Sequence, residues 1–170
     1  IRCAFGLTEP EHGSDATWMD TYAKPEKRDG IDGWLINGEK MWNTGLHVAN
    51  YDMVFARTSG KDGDAVGITC FLVETADPGV KVEEYYWTFN MPTDHPRVSF
   101  KDVWVTEEAI LGELDHGLEL AQHFVHENRI RQAASSLGAA QFCINESVKY
   151  ANERKPFGKP LAANQAIQFP

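Results

Sequence analysis

Apolar and polar residues follow two different periods along the chain, and the change falls near residue 112. From Ala4 to Val105 the apolar runs are short, rich in β-branched and aromatic residues, and separated by polar turns about every 8–15 residues. A clear example, Ile68–Glu74 (ITCFLVE), is ended by Asp77-Pro78-Gly79. This pattern predicts antiparallel β structure in a sandwich or barrel-like domain.

Two positions in this region predict particular connections. Asn37-Gly38 lies between two apolar runs, and Asn-Gly is the strongest short sequence signal for a two-residue hairpin. We therefore predict a hairpin there. The apolar residues of Val98–Val105 predict a further strand pair or one bent strand.

Beyond Gly112 the apolar residues recur every three to four positions, from Leu118 to Ala151, and no proline occurs between Asp115 and Lys155. This spacing predicts one long helix or two abutting helices, with Gly138 as a candidate break or close helix contact. Pro156, Gly158 and Pro160 end the pattern, and a further helix begins near Asn164. The predicted fold class is α+β: a β domain over residues 1–112, then the long helices of an incomplete helical-bundle domain over residues 113–170.

Composition narrows the possible functions. The 16 basic and 25 acidic residues give a net charge of −9, which argues against non-specific nucleic-acid binding but not against a phosphate-bearing cofactor. Three isolated cysteines predict reduced thiols in an intracellular compartment. No apolar run is long enough for a transmembrane segment. We expect no metal site, and we expect His123 and His126 to face solvent or an interface.

Four short stretches contain candidate chemistry, and each also has a purely structural interpretation. The loop Phe5–Asp15 offers hydroxyls and backbone N–H groups to a carbonyl-rich ring or a phosphate, or it is a plain turn. In Lys40–Gly45, Trp42 and Thr44 flank a planar cofactor, or Trp42 is core. In His126–Arg129, the arginine binds an anion or lies on a solvated face. In Tyr150–Leu161, the basic pair after Glu153 also suits a helix C-terminus.

Together and in this order, the stretches resemble motifs of the acyl-CoA dehydrogenase family over essentially the whole chain. Phe5–Asp15 is similar to the family's TEP-x-x-GSD loop, and Lys40–Thr44 to its K-x-W-I-T/S strand end. Leu111–Gly117 resembles the entry to the helical domain. Glu153–Phe169 resembles the motif ER-x-x-FG-x-x-L followed by QAIQF.

The resemblance implies FAD held between the β domain and C-terminal helices. Thr8 and the backbone from Phe5 would bond the pyrimidine edge of the flavin. Trp42 would pack near the ring, and the Thr44 hydroxyl would reach N5. Arg154 and Phe157 would reach the FAD of a neighbouring subunit, Arg154 at its pyrophosphate. The full set of implied cofactor-binding residues is Phe5, Leu7, Thr8, Gly13, Ser14, Trp42, Asn43, Thr44, Arg154, Phe157 and Gln165.

The reaction implied by the resemblance is α,β-dehydrogenation of an acyl-CoA in fatty acid β-oxidation. Ser14, Asn128 and Arg129 would bind the substrate. The family's base lies either well downstream or just before this arginine, where the chain has Asn128, which cannot take a proton at neutral pH. We therefore expect no catalytic residue in the chain and a base beyond Pro170. The open start at Ile1 likewise leads us to expect a segment of a longer protein.

Some residues depart from the family pattern. Asn43 replaces an apolar residue, Pro156 a polar one and His126 an acid, and the segment Asn90–Arg97 is shortened. Alternatives therefore stay open: an acyl-CoA oxidase, a nitroalkane oxidase, a monooxygenase component or a catalytically silent scaffold.

The resemblance further implies a homodimer or homotetramer and an electron-transfer flavoprotein as partner. It implies a cytoplasmic location in a bacterium, or a mitochondrial or peroxisomal one in a eukaryote.

Overall fold

The structure is a computed structural model that describes residues 1–88 and 91–169, without the side chains of residues 91–93. Asn90, the first residue of the shortened segment, therefore lies outside the described residues. The chain forms two compact units, Ile1–His123 and Phe124–Pro170. The first contains one sheet, and the second contains most of a long helix.

Eight strands form the sheet, in the order β6-β7-β3-β2-β4-β5-β8, with β1 paired to β4. Their bounds are β1 Cys3–Gly6, β2 Tyr22–Arg28, β3 Ile31–Met41, β4 Tyr51–Arg57, β5 Ile68–Glu74, β6 Val80–Thr88, β7 Met91–Thr106 and β8 Ile110–Leu111. With the helices that follow, this sheet confirms the α+β fold class. The residues of Val98–Val105 form part of one strand, β7.

The sheet is mixed, whereas the turn pattern predicted antiparallel strands throughout. β1 runs parallel to β4, with Phe5 opposite Met53, and β2 makes one parallel pairing with β4 at Tyr22 and Arg57. The prediction was wrong here because these pairs are distant in sequence, and local turn signals carry no information about them.

The predicted hairpin at Asn37-Gly38 was also wrong. β3 continues through both residues, and the register against β7 shifts between Ile36 and Gly38, as at a β-bulge. Gly38 has a φ of +149° and lies against Thr21, where a Cβ atom would be only 2.4 Å from the threonine hydroxyl. The hairpin turn instead uses Asp29-Gly30, both at positive φ, between β2 and β3.

Two apolar clusters cover the faces of the central strands. Val54 and Ala56 of β4 belong to the larger cluster with Ile36 and Phe71, whereas Phe55 belongs to the smaller one. Alternate residues of β4 therefore point to opposite buried faces, as expected for a strand inside a sandwich. The smaller cluster also includes Ala121 from the start of the long helix.

The helical segment is one continuous helix, α1, from Gly117 to Glu153, followed by the short α2, Gln165–Gln168. The predicted end before Pro156 and the start after Asn164 are confirmed. The Asn164 side chain caps α2 by accepting from the Ala166 N–H at 3.0 Å. Gly138 lies within α1 without breaking it. None of the helices in the described part of the chain has the length and apolar character needed to cross a membrane.

Candidate cofactor site

Two of the predicted stretches are joined by hydrogen bonds between the loop after β1 and the end of β3. The Met41 N–H donates to the Thr8 carbonyl at 2.8 Å, and the Lys40 ammonium donates to the Leu7 carbonyl at 3.2 Å. The loop and the strand end that were predicted separately therefore form one surface.

A buried ion pair supports this junction. The Lys40 Nζ lies 2.7 Å from the Glu9 Oε1, and both side chains are almost fully buried. Glu9 also accepts from the Asp20 and Thr21 N–H groups. Burial raises the pKa of Glu9, but the Lys40 charge and the hydrogen bonds outweigh it and leave this pKa below its ordinary value. Burial lowers the pKa of Lys40, although Glu9 opposes that change.

The strand end presents an aromatic ring and a hydroxyl. Trp42 adopts a left-handed conformation, with φ +67°, and the residue is 42% exposed. Its ring packs against Tyr86 with centroids 4.7 Å apart. The exposed Thr44 hydroxyl lies 2.9 Å from the His95 Nδ1 and 3.3 Å from the Trp42 carbonyl oxygen. Positive φ is uncommon for a bulky residue, so surrounding contacts must hold this geometry.

Asn43, between these two residues, points its side chain the other way. It is fully buried and donates to the Asp52 carboxylate at 2.5 Å. Burial raises the pKa of Asp52 to about 7, against the opposing effects of Asn43 and Lys40. The Asn43 side chain thus serves the interior in this structure, not an exposed ring. Phe5 also packs inward, with its ring 5.0 Å from that of Phe55.

The rest of the first loop is exposed at Gly13 and Ser14. Asp15 caps the short helical turn Ala16–Trp18 by accepting from the Thr17 N–H at 3.0 Å. Within the described residues, Glu9, His12 and Asp20 place potential metal ligands within 4.8 Å of one another. Because the Glu9 carboxylate is already paired with the Lys40 ammonium, its negative charge is compensated and is not available to a metal ion.

The second unit contains the other predicted site residues. Arg154 directly follows α1, and its carbonyl accepts from the Leu161 N–H at 2.8 Å. Phe157 is fully exposed with a left-handed φ of +54°, and Gln165 is the exposed first residue of α2. On α1, Arg129 is exposed, and the Asn128 amide donates to the Phe124 carbonyl at 2.9 Å.

Sequence reasoning did not assign several residues of the first unit. Glu9 and Lys40 lie inside the two motifs, so their pairing was accessible only if the loop and strand end were known to meet. Tyr86 and His95 come from the β6–β7 pair, where they lie opposite each other. No short motif marks them.

Two family models match the chain. The family model for the acyl-CoA dehydrogenase middle domain matches residues 4–103, and the model for the C-terminal domain matches residues 115–170. The 3-(aryl)acrylate reductase of Clostridium sporogenes is 40% identical over 169 residues, or 98% of this chain and 43% of the relative. The short-chain specific acyl-CoA dehydrogenase of Megasphaera elsdenii is 36% identical, with the same coverage.

Two further relatives bear on cofactor and partner. The caffeyl-CoA reductase-Etf complex subunit CarC of Acetobacterium woodii is 36% identical over 99% of this chain and 43% of its own length. The Bacillus anthracis acyl-CoA dehydrogenase, solved in complex with FAD, has a TM-score of 0.82 and 30% identity, and the match covers 97% of this chain and 27% of that one.

This chain spans about two fifths of the curated relatives' length. On the matches to both domain models, the chain belongs to the acyl-CoA dehydrogenase family.

Proposed function

We propose that the chain is a segment of an FAD-dependent acyl-CoA dehydrogenase, with a β domain over residues 1–112 and the start of a helical domain over residues 113–170. The observation that carries this proposal is the surface at the end of β3. There the Trp42 ring and the Thr44 hydroxyl are both exposed, and the strand end is bonded to the Thr8 carbonyl. An exposed ring beside an exposed hydroxyl fits a flat heteroaromatic cofactor.

The first unit fits the isoalloxazine part of FAD. Thr8 and the backbone of Phe5, Leu7 and Thr8 would hold the pyrimidine edge, and the Thr44 hydroxyl would bond the ring nitrogen N5. Gly13 and Ser14 stand exposed on the same loop, where a phosphate would meet backbone N–H groups without steric conflict. When bound, FAD would supply the acceptor for the hydride that leaves the β carbon of the acyl thioester.

The second unit offers residues suited to a cofactor of a neighbouring subunit. Arg154 is an exposed guanidinium immediately after a helix, and such a group makes forked contacts with phosphate oxygens. Phe157 holds its ring fully in solvent at a left-handed backbone conformation. A ring held this way is suited to contact another chain. Gln165 completes this group, and we propose a homodimer or homotetramer.

For the substrate, we propose that Ser14, Asn128 and Arg129 bind the acyl-CoA. Asn128 does not serve as the base, because a carboxamide does not accept a proton at neutral pH and its amide donates to the helix backbone. The base that removes the α proton is therefore sought outside this chain. We propose an electron-transfer flavoprotein as the electron acceptor in an intracellular compartment, on the precedent of the CarC relative.

A second candidate is the same chemistry in the opposite direction. The relative with 40% identity is named as a 3-(aryl)acrylate reductase. In that direction, reduced flavin gives a hydride to the β carbon of a 2,3-double bond and the α carbon gains a proton. An electron donor of the flavoprotein class must then reduce the flavin again.

The test is purification of the whole protein without added flavin, followed by assays in both directions. We expect oxidised-flavin absorbance bands that bleach on addition of a saturated acyl-CoA. Return of the oxidised-flavin bands when an arylacrylate or its thioester is added to the chemically reduced protein supports the second candidate. Peroxide formation identifies an oxidase, and activity on nitroalkanes a nitroalkane oxidase. A folded whole protein that cannot be loaded with FAD would contradict the proposal and leave the scaffold alternative.

A further inference from the structure

We propose that His95 is a positioning residue that sets the hydrogen-bonding direction of the Thr44 hydroxyl. The proposal rests on the proposed function, because Thr44 is the residue assigned to the flavin N5. It concerns a histidine for which the sequence motifs gave no role. The structural basis is the 2.9 Å contact between the Thr44 Oγ1 and the His95 Nδ1.

The backbone on both sides of His95 is fixed to the strand end that carries Thr44. The Pro96 carbonyl accepts from the Trp42 N–H at 2.9 Å, and the Asp94 carbonyl accepts from the Gly45 N–H at 2.9 Å. His95 also lies opposite Tyr86, whose ring packs against Trp42. The imidazole is therefore held beside the hydroxyl by contacts that do not involve its own side chain.

A threonine hydroxyl has one hydrogen to donate and two lone pairs to accept with. Its neighbours here are the His95 Nδ1 at 2.9 Å and the Trp42 carbonyl at 3.3 Å. The carbonyl takes the hydrogen only at a long distance, whereas a neutral imidazole accepts or donates at Nδ1 according to its tautomer. His95 therefore determines whether the hydroxyl presents its hydrogen or a lone pair on the remaining side.

This choice matters because flavin N5 is a hydrogen-bond acceptor when oxidised and carries a hydrogen when reduced. With Nδ1 protonated, His95 donates to Thr44, and the hydroxyl hydrogen is free for an acceptor. With Nε2 protonated, Thr44 donates to His95 and offers a lone pair to a donor. The contact between His95 and Thr44 thus lets one hydroxyl serve both oxidation states. Without the His95 imidazole, the reduced state is weakened, because the Thr44 hydrogen then has only the distant Trp42 carbonyl as its acceptor.

The decisive experiment is a redox titration of the FAD-loaded whole protein with His95→Phe and His95→Asn. In His95→Phe, we expect the ratio of reduced to oxidised flavin at a fixed solution potential to fall about two- to tenfold, the size of one hydrogen bond. His95→Asn should recover most of this loss, because its amide oxygen can take the place of Nδ1. In a Thr44→Val background, His95→Phe should have no further effect, because His95 acts through the hydroxyl.

His47 provides a matched control. Its Nδ1 lies 3.8 Å from the carboxylate of Asp94, the residue before His95. We expect His47 to make no contact with Thr44. His47→Phe should leave the flavin ratio unchanged. An unchanged ratio in His95→Phe would overturn the proposal, as would an equal loss in the Thr44→Val background.

A second readout does not need the flavin. In protein labelled with nitrogen-15 at histidine, the Nδ1 resonance of His95 should move in Thr44→Val and stay in place in His47→Phe. If the resonance stays in place in Thr44→Val, the contact does not exist in solution and the inference fails. If it moves but the wild type binds no FAD, the proposed function fails and the positioning role toward N5 fails with it, while the contact itself stands.

Discussion

At the scale of single residues, Asp52 is an acid placed where its charge is unfavourable. Its carboxyl group is fully buried and accepts a hydrogen bond from the Asn43 amide. Burial raises its pKa from 3.8 to about 7, even though Asn43 and Lys40 act in the opposite direction. In the unfolded chain this carboxyl ionises well below the pH at which it ionises in the folded protein.

This difference predicts the sign of a pH effect. Between the unfolded value of 3.8 and the folded value of about 7, the folded protein holds a proton that the unfolded chain has lost, so stability falls as pH rises through this window. Asp52→Asn keeps an acceptor for Asn43 and removes the titration. We expect the variant to be more stable than wild type at pH 8 by about 2–4 kcal/mol, with a much smaller difference at pH 5. Thermal unfolding at both pH values measures this, and equal differences at the two would contradict it.

The Lys40–Glu9 pair gives a second prediction at this scale. Lys40→Met leaves the Glu9 carboxylate buried without its partner, and removal of one member of a buried pair costs about 3–5 kcal/mol. Combining Lys40→Met with Glu9→Gln should recover much of that loss, because no isolated charge remains. Chemical denaturation of the single and double variants measures the coupling.

The exposed pair Lys27–Asp32, with its N···O distance of 3.1 Å, serves as the control. Lys27→Met should cost no more than about 1 kcal/mol. A loss of similar size in Lys27→Met and Lys40→Met would show that burial does not decide the strength of these pairs.

At the scale of elements, two glycines of α1 should respond oppositely to alanine. At Gly117 a Cβ atom would lie 2.5 Å from the Cys70 backbone nitrogen, whereas at Gly138 nothing lies within 4 Å. We expect Gly117→Ala to destabilise the 170-residue chain by about 1–3 kcal/mol, as in overpacking. Gly138→Ala should stabilise it by up to about 1 kcal/mol, through helix propensity.

Circular dichroism during urea unfolding measures both variants. If Gly138→Ala instead destabilises the whole protein while stabilising the 170-residue chain, Gly138 is the close helix contact that its position in the apolar pattern predicted. Destabilisation already in the 170-residue chain would contradict the open surroundings of Gly138.

The elements also differ in how far the sequence could predict them. The long helix and its end were predictable because apolar spacing, proline and glycine are local signals. The Asn37-Gly38 hairpin was mispredicted because the glycine at position 38 is needed for another reason. A side chain there would collide with Thr21, and this tertiary contact leaves the same Asn-Gly dipeptide in the sequence as a hairpin turn does. In the proposed site, Trp42 and Thr44 were predicted through their motif. His95 was not, because only the pairing of β6 with β7 and the contacts of β7 with the β3 end bring it to Thr44.

At the scale of the whole molecule, Arg154 separates cofactor binding from helix capping. If it pairs with a pyrophosphate, Arg154→Ala should weaken FAD binding by about ten- to a hundred-fold, the effect of losing about 1.5–3 kcal/mol. Arg154→Lys should recover only part of this, because an ammonium cannot make the forked contact. FAD titration of the whole protein measures the affinity, and sedimentation tests whether the apo variant dissociates more readily.

Arg131, an exposed arginine within α1, is the matched control, and Arg131→Ala should leave FAD affinity unchanged. Equal affinity in Arg154→Ala and wild type would leave Arg154 only the role of balancing the helix dipole. That result would also remove the main support for Phe157 and Gln165 at a cofactor.

The 170-residue chain by itself should have no dehydrogenase activity, even with FAD supplied. The reason is that Asn128 cannot act as a base and the proposed base lies outside the chain. Anaerobic mixing of the chain with FAD and acyl-CoA, followed at the flavin absorbance bands, measures this. Bleaching would show that another residue of the chain, such as Glu127, removes the α proton.

The close approach of β1 to the end of β3 has an evolutionary consequence. A Cβ atom on Gly6 would lie 2.9 Å from the Asn43 amide nitrogen and 3.1 Å from an Asp52 carboxylate oxygen. Any descendant that gains a side chain at position 6 must therefore displace or shorten the side chain at position 43 or 52. A descendant that loses the amide at position 43 leaves the acid at position 52 without the donor seen here. Across homologues, these three positions should change together, although Gly6 is far from the other two in sequence.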